Sequence, residues 1–455
     1  MKLENVLSEL DGFGRFQLRT VFLMVIPRVT LPFHFLLNNF IAAVPSHHCD
    51  ISSLDNRGIF RNLSLADRLV VSIPVQEDGT PNSCKMFAEP QYHLLLNSSN
   101  ITDLTTVPCQ NGWVYDNTTF HSTLPTEWDL VCDKKRVNKA TATIFFMGVM
   151  LGAAVFGYLS DRFGRKRVLL LSYVTTTLFG FASAFSYNFA MFAAMRFFTG
   201  FGISGISIIT MVLCIEWVDI KHRTAVGVLM SMDWSVSTAL LPAVAYFLNG
   251  WRYLTAVVTT PLFLAMITWW WIPESARWLV SNGRVNTAHF YLSKCAKVNG
   301  REQFMADLKP EVLSKVIILE NENRKYSYLD LVKTPKMRRL ALLTGIVWSK
   351  AESGWYTCSD WTVSFLQHVY PSRQNGLGFS NFMARIGVSV SPMIMLLEEV
   401  WIPLPSAVFS LVAFAAALSA YFLPETRNSR LPETIEDVEQ TRRLSFSTSN
   451  EKSLS

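Results

Sequence analysis

Charged residues are scarce in this sequence. Only 17% of its 455 residues are Asp, Glu, Lys or Arg, and the mean hydropathy is +0.24. A soluble protein of this length covers its surface with charge, so the composition argues against one. Ala140–Ser160 and Val168–Met195 contain no charged residue at all. A helix needs about 20 apolar residues to cross roughly 30 Å of hydrocarbon, and several segments of this sequence satisfy that requirement.

The sequence also lacks the motifs of an enzyme. It shows no metal-ligand cluster, no nucleophile elbow and no ATP-binding motif. Gly200-x-Gly202-x-x-Gly205 spells a dinucleotide fingerprint, but it lies in an apolar span with no strand before it, so we interpret it as small-residue helix packing. His47-His48 beside Cys49 is interpreted as a turn next to a disulfide. We therefore predict no enzymatic activity, no cofactor and no metal.

The net charge of +6 is unevenly distributed. The segment Pro45–Asp133 has 4 Lys/Arg against 11 Asp/Glu, whereas Pro273–Arg339 has 13 against 7. Basic loops stay in the cytosol, so the second segment is expected inside and the first outside. This separation argues against a nucleic-acid partner and predicts a lipid bilayer as the surroundings.

The acidic segment has the features of an external loop. It contains four of the seven cysteines (Cys49, Cys84, Cys109 and Cys132) and four glycosylation sequons (Asn62, Asn97, Asn100 and Asn117). Together they predict a glycosylated loop with two disulfides, for which the sequence alone permits three pairings. Cys214, Cys295 and Cys358 are expected to be free thiols.

The layout that follows is a multi-pass helical protein. No cleavable signal peptide is visible, so we expect the first span to serve as an uncleaved anchor. The predicted segments are a cytosolic N-terminus (1–15), span 1 (16–44), the external loop (45–133), spans 2–6 (139–272), a cytosolic linker (273–339), a truncated junction (340–370), the last two spans (373–424) and a cytosolic tail (425–455).

A basic motif joins the second and third spans. Gly157-Tyr-Leu-Ser-Asp161-Arg162-Phe-Gly164-Arg165-Lys-Arg resembles the signature of the major facilitator superfamily. Gly157 lets helices approach closely, and Gly164 permits a tight turn. Asp161 can pair with arginines or face a helix N-terminus.

A repeat supports two related bundles. Arg223 lies 54 residues before Arg277, in Pro-Glu-Ser-Ala-Arg, and Arg373 lies 54 residues before Arg427, in Pro-Glu-Thr-Arg. Parallel repeats are how major facilitator halves are built. Only 35 residues separate Arg338 from Arg373, which is too short for four spans of about 20 residues each. The predicted fold is therefore an all-α major facilitator fold with a complete N-terminal six-helix bundle and a truncated C-terminal bundle, about eight spans in all.

Other segments resemble the organic anion transporters of solute carrier family 22. They are Gly12–Gln17, Asn39–Cys49, Pro108–Asp116, Glu127–Cys132, Pro273–Leu279 and Arg430–Val438. The resemblance implies a facilitative or exchanging carrier of small organic anions, working by alternating access in the plasma membrane without ATP hydrolysis, with a possible counter-transported anion. It also implies the pairings Cys49–Cys109 and Cys84–Cys132.

Five residues are candidate substrate contacts. Arg385, in the span Asn381–Leu396, is the predicted main contact for a substrate carboxylate; the alternative is an arginine that snorkels to the cytosolic interface. Arg28, with His34 nearby, is a second cationic candidate unless it pairs with a neighbouring helix. Asn39 matches a cavity asparagine but also suits the interface. Trp234 offers an aromatic face or simple packing, and the adjacent carboxylate of Asp233 would repel anions unless it were protonated or paired.

A second set of residues is predicted to control the conformational change. It comprises Gly157, Asp161, Arg162, Gly164, Arg165, Arg196, Glu216, Arg223, Glu274, Arg277, Arg373, Glu425 and Arg427. For Glu216, the favoured role is charge pairing at the cytosolic face. The alternative function is a truncated, non-transporting chain held in the endoplasmic reticulum.

Overall fold

A computed structural model gives the fold. It describes residues 3–54, 62–76, 79–96, 105–118, 120–219, 221–308 and 403–421, with single residues between these ranges. Six helical segments in the described ranges are long and apolar enough to cross a membrane. We number them spans 1 to 6, in chain order: Arg15–Ile41, Cys132–Phe163, Arg165–Ala184, Phe189–Glu216, Ala225–Phe247 and Trp251–Trp271.

Prolines divide two of the spans into shorter helices. Span 1 consists of Arg15–Arg28, Thr30–Leu36 and Asn38–Ile41. Pro32 has no N–H for the carbonyl of Arg28, so the helix is interrupted at Val29. Span 6 consists of Trp251–Thr259, Pro261–Thr268 and a final 3₁₀ turn, with Pro261 opening the second helix.

The remaining helices of the spans are continuous. They are Lys135–Phe163, Arg165–Ala184, Phe189–Glu216 and Arg223–Phe247. A further apolar helix, Leu404–Tyr421, falls within the predicted last two spans. Of the fingerprint-like glycines, Gly202 packs on Thr176 of span 3, and Gly205 packs on Ser172 and Phe156. Because a Cβ at either position would collide with these groups, the helix-packing interpretation is confirmed.

The chain divides into two compact units, of which the second is Asn38–Lys139 with Val244–Leu254. It contains two antiparallel pairs of strands: His47–Cys49 with Trp113–Tyr115, and Lys85–Phe87 with Thr106–Pro108. The helices Leu65–Ser72 and Leu124–Trp128 accompany them. Both predicted disulfides are present, Cys49–Cys109 and Cys84–Cys132. Asn62 and Asn117 are exposed, whereas Asn97 and Asn100 lie outside the described residues.

The first unit includes shorter helices outside the spans. Helix Leu3–Glu9 precedes span 1, and Ala276–Ser281, Val285–Asn299 and Glu302–Asp307 follow span 6. Leu3, Val6, Leu7 and Leu10 are buried in the same core as Leu292, Cys295 and Ala296. The N-terminal helix therefore packs into the folded unit.

The side-chain amide of Asn299 joins the segment around the start of span 1 to a helix that follows span 6. The Asn299 side-chain nitrogen donates to the carbonyl of Leu10 at 2.8 Å and to the Gln17 side-chain oxygen at 2.9 Å. Its side-chain oxygen accepts from the Phe16 amide at 2.9 Å. The turn that begins span 1 is thus bound to the linker helix.

Candidate functional site

The turn between spans 2 and 3 depends on Gly164. This residue has φ +100°, a conformation that side chains disfavour, and a Cβ here would lie 2.7 Å from an oxygen of Glu274. Glycine therefore permits both the turn and the close approach of the carboxylate, as the sequence predicted for the turn. Gly157 is buried in span 2, seven residues before Gly164.

Arg165 is the centre of a charge cluster at the span ends that the sequence predicts to face the cytosol. Its guanidinium contacts both carboxylate oxygens of Glu216 at 3.2 Å and Asp161 at 3.1 Å. Two carboxyl groups thereby pair with one buried arginine and tie spans 2, 3 and 4 together. The charge pairing that the sequence favoured for Glu216 is therefore present, and its location at the cytosolic face stays a prediction.

Glu274, just after span 6, caps the first turn of span 3. Its carboxylate accepts from the backbone amides of Arg165 at 3.0 Å, Lys166 at 3.2 Å and Ser275 at 2.9 Å. Negative charge is favourable at a helix N-terminus, where amides lack partners. Burial raises the pKa of Glu274, while the amides of Ser275 and Lys166 and the charge of Arg165 act in the opposite direction.

Two tryptophans complete this arrangement. The indole nitrogen of Trp278 donates to the carbonyl of Asp161, and that of Trp269 donates to the carbonyl of Lys166, both at 2.7 Å. Sequence reasoning named Glu274 as a control residue but missed both tryptophans. Trp278 ends the segment Pro-Glu-Ser-Ala-Arg-Trp, and Trp269 lies shortly before it. This position next to Glu274 was the feature of the sequence that could have indicated them.

The other predicted control residues lie around or outside this cluster. Arg162 is exposed and donates to the Tyr158 hydroxyl at 3.2 Å, so it points away from the carboxylates of the cluster. Arg223 and Arg277 are half-buried, just before span 5 and shortly after span 6. The predicted residues of the second bundle lie outside the described residues: Arg373, Arg385, Glu425 and Arg427.

Arg28 and Asp233 form an ion pair between spans 1 and 5. The Arg28 Nε donates to Asp233 Oδ2 at 2.7 Å, and its Nη2 lies 3.4 Å from Oδ1 and 2.8 Å from the Met230 carbonyl. The two side chains are 11% and 2% exposed. The pairing with a neighbouring helix that the sequence left open is therefore present, and it accounts for the carboxylate at position 233.

His34 is enclosed by polar partners inside the bundle. Arg196 Nη1 lies 3.1 Å from His34 Nδ1, and Arg196 Nη2 donates to the His34 carbonyl at 3.2 Å. Arginine can only donate, so Nδ1 must accept and Nε2 carries the proton, which it donates to Thr259 Oγ1 at 3.3 Å. The Thr259 hydroxyl donates onward to the Thr255 carbonyl. This chain of bonds holds His34 neutral, so in this arrangement it offers no positive charge to an anion.

An aromatic cluster lies beside these groups. Phe35 contacts Phe145, Phe146 and Trp234, with ring centroids 5.6–5.7 Å apart. Phe146 and Trp234 are partly exposed, whereas Phe145 is buried under the Arg196 guanidinium at 4.4 Å. Asn39 is exposed at the outer end of span 1. Sequence reasoning named Trp234 but missed Phe35 and Phe145, which apolar periodicity alone could not distinguish from packing.

One potential metal-ligand group occurs among the described residues, formed by His47, Cys84 and Cys132. The two cysteines are bonded to each other, so they have no thiolate to offer a metal.

Comparison with known proteins decides the family. The family described as "Sugar (and other) transporter" matches residues 111–401. "Solute carrier family 22 member 7" of Mus musculus is 37% identical over 97% of this chain and 98% of its own length. The chain belongs to solute carrier family 22. "Solute carrier family 22 member 6" of Oryctolagus cuniculus is 32% identical over 97% of this chain and 95% of its own.

A solved structure shows the same fold for this solute carrier. The proton:xylose symporter XylE, bound to 6-bromo-6-deoxy-D-glucose, aligns with a TM-score of 0.53 at 13% identity, over 94% of this chain and 99% of that one. The fold is therefore that of the major facilitator superfamily. Within family 22, Pro27-Arg28 and Leu31–Leu37 resemble organic anion transporter 2, which is member 7, and the higher identity to member 7 agrees.

The alignment with a relative contains many positions that this solute carrier does not fill. The alignment with mouse member 7 spans 534 positions and covers 97% of this chain, which is about 441 residues. About 93 positions of the alignment therefore hold no residue of this chain. Both proteins are covered almost end to end, so these gaps lie within the aligned region. The absence of most of spans seven to ten would account for gaps of this total length, and it stays a prediction.

Proposed function

We propose that this solute carrier moves small organic anions across the membrane by alternating access, as a facilitator or an exchanger, without ATP hydrolysis. The observation that carries the proposal is the 37% identity to member 7 across nearly the whole of both chains. The proposed location is the plasma membrane, in the basolateral face of an epithelium.

The contacts of the buried arginines bear on which arginine binds the substrate anion. In the described spans they are Arg28, Arg165 and Arg196, and each has partners inside the first bundle. A substrate carboxylate needs a positive charge of its own. We therefore propose Arg385, in the second bundle, as the main anion contact, with Trp234 providing an aromatic surface.

The cytosolic cluster supports alternating access. Arg165, Glu216, Glu274 and Trp278 connect the cytosolic ends of spans 2, 3, 4 and 6 through direct hydrogen bonds. Such ties allow the first bundle to move as one body while the second bundle rocks against it.

Uptake by cells tests the proposal. Radiolabelled cyclic GMP or glutamate is supplied to cells that express this chain, and the chain at the surface is measured by biotinylation. Uptake above that of mock-transfected cells is expected, with loss in Arg385→Gln and less loss in Arg385→Lys. Absence of uptake at normal surface density would overturn the proposal.

The same assay distinguishes the truncated, non-transporting alternative. That alternative predicts retention in the endoplasmic reticulum and no uptake. It also predicts that inserting about 90 residues after Trp348, the length of four spans with short turns, restores both surface expression and uptake.

A further inference from the structure

The ion pair between Arg28 and Asp233 lies deep in the first bundle. Arg28 is 13 residues from either end of Arg15–Ile41, or about 20 Å along the helix axis at 1.5 Å per residue. Charged groups at this depth are costly in free energy and are usually functional. The position therefore requires an explanation beyond neutral packing.

The geometry of the pair is that of anion recognition. Asp233 presents both carboxylate oxygens to the Nε and Nη2 edge of the guanidinium, at 2.7 and 3.4 Å. The same edge binds carboxylates and phosphates of ligands in a bidentate manner. The contact is also asymmetric, because Nη2 donates to the Met230 carbonyl at 2.8 Å as well as to the carboxylate. The contact of Nη2 with Oδ1 is therefore the longer of the two carboxylate contacts.

Aromatic side chains lie on the same two spans as the pair. Phe35 lies seven residues after Arg28, two helical turns along the same face of span 1. Trp234 follows Asp233 directly in span 5, and its ring contacts that of Phe35 at 5.6 Å. Partly exposed Trp234 and Phe146 give a planar group a surface against which to stack.

We propose that Asp233 is an internal counter-anion that holds Arg28 in the absence of substrate, and that the anionic group of a planar substrate exchanges with it. The inference rests on the proposed function and extends it, since it makes Arg28 a second anion contact and Asp233 a determinant of affinity. Exchange leaves the total charge near Arg28 unchanged only if the displaced carboxyl group takes up a proton. Asp233 is therefore expected to become a neutral acid when the substrate anion occupies Arg28.

The first test removes the counter-anion. Asp233→Asn keeps the size of the side chain and removes its charge. In the purified full chain, the concentration of cyclic GMP that gives half-maximal thermal stabilisation is expected to fall about tenfold. The double variant Arg28→Gln/Asp233→Asn is expected to lose this gain. Asp219→Asn, which removes a carboxylate paired with His222 beyond the end of span 4, is the matched control and is expected to match the wild type.

The second test uses the wild-type chain and needs no variant to fold. Dicyclohexylcarbodiimide modifies protonated carboxyl groups in apolar surroundings, and mass spectrometry quantifies its adduct on Asp233. Cyclic GMP is expected to increase this labelling at least threefold. Unchanged or decreased labelling, or an Asp233→Asn variant that binds cyclic GMP no more tightly, would overturn the inference. Neither readout requires transport, so absent uptake would count against the proposed function alone.

Discussion

The carboxylate of Glu274 accepts a hydrogen bond from the backbone amide of Arg165 at 3.0 Å, although the two residues are 109 positions apart in the sequence. The contact joins the end of span 6 to the beginning of span 3. Because it also reaches the amides of Lys166 and Ser275, a single side chain satisfies several donors that helix geometry leaves without partners.

Removing the charge of Glu274 should weaken this junction. Glu274→Gln keeps one acceptor oxygen but replaces charge-assisted bonds with neutral ones, so we expect a loss of about 2 kcal/mol of stability. The measurement is the melting temperature of the purified protein. Glu302→Gln, at an exposed position in the linker, is the control and should leave it unchanged. Equal melting temperatures for both variants would contradict the capping role.

Gly164→Ala should destabilise the turn between spans 2 and 3. The new Cβ would lie 2.7 Å from Glu274 Oε2, and the alanine would have to adopt φ +100°. We therefore expect the free energy of unfolding to fall by roughly 1–3 kcal/mol. Gly227→Ala is the matched control, because no neighbouring group lies within 4 Å of the methyl carbon that it would add. A helical alanine there should be neutral or slightly stabilising. Equal melting temperatures for the two variants would contradict the prediction.

His34→Ala should leave the buried Arg196 short of an acceptor. The cost expected for a buried charged donor without its partner is about 2–4 kcal/mol, seen as a lower melting temperature and reduced surface expression. His34→Asn, which retains an acceptor oxygen near the Nδ1 position, should recover part of this loss. His121→Ala, at an exposed position, provides the control. No difference between the alanine variants would exclude a structural role for the His34–Arg196 contact.

Cys295 should resist alkylation in the folded protein. The residue is fully buried, and burial raises the pKa of its thiol to about 12. At pH 8 only about one thiol in 10⁴ is then ionised, and the thiolate is the reactive form. N-ethylmaleimide followed by mass spectrometry should find Cys295 unmodified until the protein is denatured. Rapid alkylation of Cys295 in the native protein would contradict its burial in the linker helix.

Asn62 and Asn117 should both carry glycans. Both are exposed in the disulfide-bonded unit, which the charge distribution places outside the cell. Asn62→Gln and Asn117→Gln should each increase gel mobility by one glycan, and glycosidase treatment should abolish the difference. Unglycosylated protein with this loop accessible from the cytosol would overturn the topology.

The large-scale organisation could be predicted from sequence because it follows from simple requirements. Uncharged runs of sufficient length predict spans, and six apolar helices lie in the part of the chain where these runs occur. The orientation that the basic residues indicate stays a prediction. Arg165 and Glu216 were predicted to act near the cytosolic face for the same reason. The resemblance to family 22, rather than any spacing, supplied the disulfide pairing.

The contacts of the site were harder to predict because they depend on tertiary packing. Nothing local to His34 indicates that Arg196, 162 residues away, will fix its tautomer. Asp233 was recognised as anomalous, but its partner could be chosen only once spans 1 and 5 were in register. Arg385 stays a prediction, as it lies outside the described residues.

The bonds of Asn299 have a consequence for biosynthesis. Its side-chain oxygen accepts a hydrogen bond from the Phe16 amide, 283 residues earlier in the sequence. This contact of span 1 can therefore form only after the ribosome has synthesised Asn299. From that moment the chain holds every residue that joins the N-terminal helix to this linker helix. A chain shortened downstream of this point therefore keeps the groups that make the junction.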